Sequence, residues 1–206
     1  MTERYLRQGA LAQLTLAKRA TIEPGTAGVH LCDHGFLGQL GLRGSGDPAF
    51  CAAVESVLGT APPLEPNRVA EGREARILWL GPDEWLAVLS EERTEAAAKT
   101  LLERLAGEHV AVVDLSEARA AIGLAGPRAR DVLAQGCSLD IHPRVFLHNH
   151  CAQTLLAQVP VIIHRRGGGI AAGSAYDIYV QRSLAEYLWH WLEDAAQGYG
   201  IAILEG

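Results

Sequence analysis

The sequence predicts an α+β fold in which two pseudo-repeated, split βαβ-like halves, about residues 10–107 and 108–200, pack into one domain over residues 1–206. The first observation is that strand and helix patterns follow the same order in each half: strands, a helix, two strands and a helix. The second is that a Gly-Leu-Arg-Gly landmark at 41–44 has a counterpart, Gly-Leu-Ala-Gly, at 123–126. Each half is too small to bury both faces of its own sheet, so we expect the halves to share a core.

The first half contains clear start and turn signals. Asp47 followed by Pro48 is typical of a helix N-terminus, because the Asp side chain can cap free backbone N–H groups and Pro at the first position needs no hydrogen bond. Pro82 and Asp83 predict a turn between two apolar strands. The elements expected here are strands at 29–32, 38–43, 77–80 and 85–89, and helices at 48–58 and 92–105.

The second half repeats this order with a longer loop. Strands are expected at 110–115 and 120–124, a helix from Gly126 to about Leu133, an irregular loop at 136–150, and strands at 154–163 and 176–180. Ser183 and Glu186 form a capping box that predicts the start of the last helix. The apolar face expected for that helix consists of Leu184, Tyr187, Leu188, Trp191 and Leu192.

Composition excludes several classes of function. Hydrophobic residues make up 49% and charged residues 20% of the chain, as in ordinary globular proteins. The net charge of −6 argues against nucleic-acid binding, which needs clustered positive charge. The apolar runs are far shorter than the roughly 20 residues that span a bilayer, and no secretory signal is expected. Four cysteines without a CxxC pair indicate reduced thiols and a cytoplasmic protein: Cys32, Cys51, Cys137 and Cys151.

Two glycine-rich stretches resemble ligand loops but lack the necessary context. Residues 41–47 lead from a strand into a helix without the Lys-Ser/Thr of a phosphate-binding loop, so we interpret them as a tight turn. Residues 167–173 follow a strand and precede another strand, which favours a hairpin loop over a dinucleotide site. No nucleophile elbow or paired catalytic carboxylate is recognisable, and no catalytic or cofactor-binding residue is assigned.

Residues 142–151 gather three histidines and a thiol, which are typical zinc ligands. A convincing zinc site usually has a second ligand pair elsewhere, and none is evident. We therefore favour a solvated loop or an interface segment and assign no metal ligand, while a zinc-binding regulatory module stays open as an alternative.

Five residues are predicted to contact a protein partner. Trp189 lies between the presumed inward positions of the last helix and is expected to turn off the core face, and Trp85 follows the predicted hairpin turn. Arg144, Arg165 and Arg166 lie in or beside presumed loops, where they could dock acidic patches.

Several segments together resemble one family. Residues 140–146, followed by 151–154, are similar to the gamma subunit of heterotetrameric sarcosine oxidase, as are residues 114–119, 176–183 and 187–189. Residues 147–150 and 167–173 depart from the family pattern, and both stretches are presumed loops.

The resemblance implies a non-catalytic subunit that supports assembly of the enzyme. Such oxidases combine alpha, beta, gamma and delta subunits and oxidise sarcosine to glycine with release of hydrogen peroxide, while the one-carbon unit can pass to tetrahydrofolate. The resemblance places FAD, NAD, a covalently linked flavin and zinc on partner subunits, and no cofactor on this chain. It also implies a fold related to the folate-binding domain of the glycine-cleavage aminomethyltransferase. The alternative is a free-standing folate-binding protein of that type, with Asp114 or Asp177 as the pterin carboxylate.

Overall fold

The computed structural model of the chain describes residues 7–21, 25, 27–166 and 174–204. In chain order its elements are α1 (Leu16–Arg19), β1 (Val29–Asp33), β2 (Leu37–Arg43), α2 (Pro48–Leu58), β3 (Val69–Glu71), β4 (Ala75–Gly81), β5 (Glu84–Ser90), α3 (Glu91–Arg104), β6 (Ala111–Asp114), β7 (Arg119–Gly126), α4 (Ala129–Gly136), β8 (His150–Leu156), β9 (Val159–Arg165), β10 (Ser174–Gln181), α5 (Ala185–Ala196) and β11 (Ile201–Leu204).

The elements form four layers, with two sheets between two layers of helices. One sheet has six strands in the order β11-β1-β7-β10-β9-β8, and the other has five in the order β3-β4-β5-β2-β6. A buried apolar cluster joins the six-stranded sheet to α4 and α5, and a second joins the five-stranded sheet to α2 and α3. A third cluster, which includes Leu86 and Tyr179, lies between the two sheets. The predicted α+β class is confirmed.

The two repeats exchange their first strands. β1 belongs to the first repeat but pairs with β7 of the second, with Leu31 opposite Leu124. β6 belongs to the second repeat but pairs with β2 of the first, with Val112 opposite Leu42. Each sheet is therefore completed by the other repeat, so the two halves are interlocked rather than merely packed together.

Most local signals hold, and the exceptions have physical reasons. Asp47 Oδ1 accepts the Phe50 N–H at 2.8 Å and caps α2 as predicted. The strand predicted at 154–163 is wrong in part, because the chain turns back between β8 and β9 at Ala157 and Gln158, whose φ angles are 51° and 66°. Such turns usually contain Asn or Gly, so the sequence carried no turn signal there.

The last helix differs from its prediction at its start and in its buried face. The chain enters α5 through a 3-10 turn, Arg182–Leu184, so Ser183 lies inside that turn and does not cap the helix. The buried face consists of Ala185, Leu188, Trp189, Leu192 and Ala196. Leu188 and Leu192 belong to both the predicted and the observed stripe, so periodicity alone could not separate the two.

Within the described residues, no helix has both the length and the apolar character needed to cross a membrane. The predicted hairpin loop at 167–173 lies outside the described residues.

Candidate functional site

Three of the five predicted partner contacts are buried inside the chain. Trp189 has no exposed surface and packs in the core beneath the six-stranded sheet, so the expectation that it turns off the core face is wrong. Trp85 is also fully buried, packs against Phe50, and donates its indole N–H to the Pro63 carbonyl at 2.8 Å. Arg165 is only 7% exposed, and its guanidinium donates to the Phe146 carbonyl. In this chain, the three side chains are enclosed by its own residues.

Arg144 and Arg166 do reach the surface: Arg144 lies in the loop before β8, and Arg166 follows the end of β9. Residues 142–148, called here the docking segment, carry exposed Arg144 together with Val145 and Leu147, which are 57% and 42% exposed. His148 Nδ1 lies 3.0 Å from the carbonyl of Arg166, which ties the segment to the end of β9. The segment therefore presents apolar and cationic groups on one fixed piece of backbone. Sequence patterns did not identify Val145 and Leu147, because an irregular loop has no periodicity that reports exposure.

A group of charged side chains lies between the sheets, around Asp177 of β10. Asp177 is fully buried, and Arg76 of the opposite sheet donates to its Oδ2 at 2.6 Å. His34, which follows β1, donates to Oδ1 at 2.9 Å. Arg166 Nε lies 3.6 Å from Oδ1, and His164 Nδ1 lies 3.8 Å from Oδ2. We call these five residues the Asp177 cluster; its Arg76–Asp177 pair is an ionic tie between the sheets.

Strand register explains how the cluster assembles. His164 and Gly123 are the neighbours of Asp177 on the two adjoining strands, β9 and β7. A Cβ on Gly123 would lie 3.0 Å from His34 Nε2, so only glycine leaves full room for the histidine ring. The members come from four separate segments of the chain, and no spacing in the sequence indicates that they meet.

The cluster shifts the pKa values of its members in opposite directions. Burial alone would lower the pKa of His34, but the hydrogen bond and charge of Asp177 raise it to about 9. Burial disfavours the ionised form of Asp177, yet the hydrogen bond and charge of His34 and the charge of Arg76 hold its pKa below the usual range. Burial lowers the pKa of His164 to about 4; the charge of Asp177 opposes this shift, and the charges of Arg76 and Arg166 add to it. His34 and Asp177 therefore form an ion pair beside a neutral His164.

We expect the stability of the chain to fall on both sides of neutral pH. His164 binds a proton in the unfolded chain below about pH 6.5 but in the folded chain only near pH 4, so acid costs on the order of 3 kcal/mol across that range. His34 keeps its proton in the folded chain up to about pH 9, so its contribution is complete below pH 6.5 and is lost as pH rises towards 9. Urea unfolding followed by tryptophan fluorescence across this range measures both limbs.

Two variants separate the acid and the alkaline loss of stability. His164→Phe should flatten the acid side between pH 6.5 and 4, and His34→Gln should flatten the alkaline side. If both variants keep the pH profile of the unmodified chain, the two histidines do not control it.

The two carboxylates considered for a pterin are already occupied. Asp177 is enclosed by the partners described above, and Asp114 is exposed and accepts hydrogen bonds from the N–H and hydroxyl of Ser116 at 2.9 and 2.5 Å. A hollow of about 600 Å³ lies beside the cluster and is lined by Arg76 and Arg166 together with Glu71, Arg73 and Glu74. The hollow therefore has three arginines against two glutamates, and the carboxylate of Asp177 is already paired with Arg76 and His34.

The possible metal ligands of residues 142–151 do not point to a common site. Cys151 is buried with Sγ 3.3 Å from the Trp79 carbonyl, and burial raises the pKa of its thiol to about 12. The His150 ring meets the guanidinium of Arg68, whereas His148 is bonded to the Arg166 carbonyl. In the part of the chain that the structure describes, no three His, Cys, Asp or Glu side chains are grouped as metal ligands would be.

Fold and site together define a structural α+β domain of two interlocked repeats. Its buried charges include the Arg76–Asp177 ion pair, which joins the two sheets. The chain belongs to the sarcosine oxidase gamma subunit family, whose model matches residues 43–198. It is 35% identical over 198 residues to the sarcosine oxidase subunit gamma of Corynebacterium sp. strain U-96, covering 96% of this chain and 93% of that protein. It is 37% identical over 178 residues to the subunit gamma of an Arthrobacter species, covering 85% and 84%.

Solved structures agree. A chain of the heterotetrameric sarcosine oxidase from Corynebacterium sp. U-96 matches with a TM-score of 0.82 at 33% identity, covering 96% of this chain and 98% of that one. The glycine cleavage system aminomethyltransferase T from Bartonella henselae matches with a TM-score of 0.69 at 16% identity, covering 97% and 59%, which shows a shared fold. The family resemblance and the relation to the aminomethyltransferase fold are thereby confirmed, and a free-standing folate-binding protein is not favoured.

Proposed function

We propose that this chain is the non-catalytic gamma subunit of a heterotetrameric sarcosine oxidase and supports its assembly. The complex would oxidatively demethylate sarcosine to glycine, release hydrogen peroxide and pass the one-carbon unit to tetrahydrofolate. The observation that carries this proposal is the match, over nearly the whole of both chains, to a chain of such an oxidase. The Asp177 cluster supports it, because its buried charges are used to join two sheets rather than being directed at a substrate.

The proposed partners are the alpha, beta and delta subunits of the oxidase in the cytoplasm. FAD, the covalently linked flavin, NAD, zinc and tetrahydrofolate would be held by these partners and not by this chain. A subunit that leaves the cofactors to its partners would serve by holding the larger chains in register.

Affinity purification of this chain, tagged and expressed together with the other subunits of the oxidase, tests the proposal. The expected product is a yellow complex of four different chains that forms peroxide only when sarcosine is added. A colourless, solitary chain from cells that contain the assembled oxidase would contradict the proposal.

We further propose that the docking segment contacts a partner subunit through Arg144, Val145 and Leu147, with Arg166 beside it. Leu147→Asp places a charge in the apolar contact and should weaken assembly by about tenfold or more, as loss of a central interface side chain does. Quantitative recovery of this chain with a tagged partner subunit measures the effect.

Leu102→Asp is the matched control. Leu102 is a similarly exposed leucine, at 48%, and it lies on α3, the helix that packs against the five-stranded sheet. It should leave recovery unchanged. Equal recovery of the Leu147 and Leu102 variants would remove the docking segment from the interface.

A further inference from the structure

One strand edge of the structure is open where its counterpart in the other repeat is covered. β6 ends the five-stranded sheet, and among the described residues no strand lies beyond it. Its counterpart is β1, since the two strands hold the same position in their repeats and end alike, as Val-His-Leu-Cys-Asp at 29–33 and Val-Ala-Val-Val-Asp at 110–114. β1 is not at an edge, because β11 pairs with it in parallel, with Ile203 opposite Leu31.

The backbone of β6 is oriented to accept a strand in the same way. In β1, the N–H of Val29 bonds to Gly200 at the start of β11, whereas the N–H of His34 bonds inward to Ala121 of β7. Just after β6, the N–H of Leu115 donates inward to the Gln39 carbonyl of β2. Leu115 thus corresponds to His34, whose N–H points inward in the other repeat. Because successive residues of a strand point their backbone groups in alternate directions, Val112 directs its N–H and carbonyl to the open side.

The side chains at this edge are apolar and only partly covered. Val113 is 50% exposed. A hollow of about 160 Å³ lies against it, lined also by Gly41, Leu42, Ala111 and Leu115 and by the ion-paired Arg43 and Glu84. Proteins usually protect such an edge with charges, proline or a bulge, yet residues 110–113 are all apolar. Asp114 is the one charged residue of β6, so an edge that is apolar over residues 110–113, beside a mainly apolar hollow, fits an interface.

We propose that β6 receives an extended segment of another oxidase subunit, which pairs with it in parallel and extends the five-stranded sheet. The segment would have apolar residues opposite Val110 and Val112, as Ile201 and Ile203 stand opposite Val29 and Leu31, and a further apolar residue would cover the hollow beside Val113. The proposal rests on the proposed function, which supplies the partner.

A second copy of this chain is disfavoured as the occupant. Two copies joined at this edge by a two-fold axis would pair their β6 strands antiparallel, whereas the strand on the counterpart edge is parallel. The internal repeat therefore indicates a strand of different sequence.

Hydrogen exchange and cross-linking on the assembled complex test the proposal. The peptide covering residues 110–115 should exchange more slowly in the complex than in the isolated chain. Val113→Cys, labelled with a benzophenone, should cross-link to one extended segment of another oxidase subunit.

Two substitutions address the backbone and the hollow separately. Val112→Pro removes the outward N–H and should lower recovery of this chain in the complex at least about tenfold, whereas Val112→Ala loses packing but keeps the N–H and should assemble. Val113→Lys alters only a half-exposed side chain, keeps the inward hydrogen bond, and should lower recovery similarly even if the proline variant fails to fold.

The outcomes distinguish the two proposals. A four-chain yellow complex with residues 110–115 unprotected, or one that Val113→Lys joins normally, overturns the strand pairing and leaves the proposed function intact. A cross-link within this chain or to a second copy also overturns the strand pairing. Failure of the unmodified chain to join any oxidase overturns both.

Discussion

Asp177→Asn is expected to lower the free energy of unfolding by about 3–5 kcal/mol, the usual cost of removing one partner from a buried ion pair. The substitution keeps the size of the side chain but leaves the charge of Arg76, three-quarters buried, without its counter-ion. It also removes the anion that keeps His34 protonated. Because Arg76 and Asp177 belong to different sheets, the loss should loosen the contact between the sheets. Urea unfolding at neutral pH measures it.

Asp83→Asn is the matched control for this substitution. Asp83 is a carboxylate 66% exposed in the β4–β5 turn and lies 4.0 Å from Arg43, so its change should cost less than about 0.5 kcal/mol. Arg76→Met should recover part of the stability of Asp177→Asn, because the double change leaves no unpaired buried cation. Equal stability of the Asp177 and Asp83 variants would show that the buried pair contributes nothing to the fold.

The sequence predicted the elements whose signals are local. The N-terminus of α2 depends on Asp47 and Pro48, and the β4–β5 hairpin depends on its Pro-Asp turn, so short stretches were sufficient. The repeat was also visible, because matching strands stand at a nearly constant offset. The exchange of β1 and β6 was not, because either strand could pair with β2 or β7 by pattern alone. The choice between them is made by packing across the whole domain.

The site was harder to predict than the fold. The Asp177 cluster joins side chains from residues 34, 76, 164, 166 and 177, and only the folded sheets bring them together. Trp85 and Trp189 were predicted to lie at the surface, but both are buried. An aromatic residue beside an apolar stripe is as suitable for a core as for an interface, so the sequence could not separate the two. Open edges such as β6 became recognisable only after the strand order was known.

Trp189→Ala is expected to destabilise the chain by about 3–5 kcal/mol, as loss of a large buried aromatic side chain does. The indole packs where α5 meets the six-stranded sheet, and the substitution leaves a cavity that the helix can fill only in part. Trp189→Phe should cost much less, because the ring is largely kept and, among the described residues, the indole N–H has no hydrogen-bond acceptor to lose. Tyr187→Ala on the same helix removes an aromatic ring that is 54% exposed and should cost about 1 kcal/mol or less. Thermal and urea unfolding of the three variants separate a core residue from an interface residue. A Trp189→Ala chain that is as stable as the unmodified chain but no longer joins the oxidase would show that Trp189 acts at the interface.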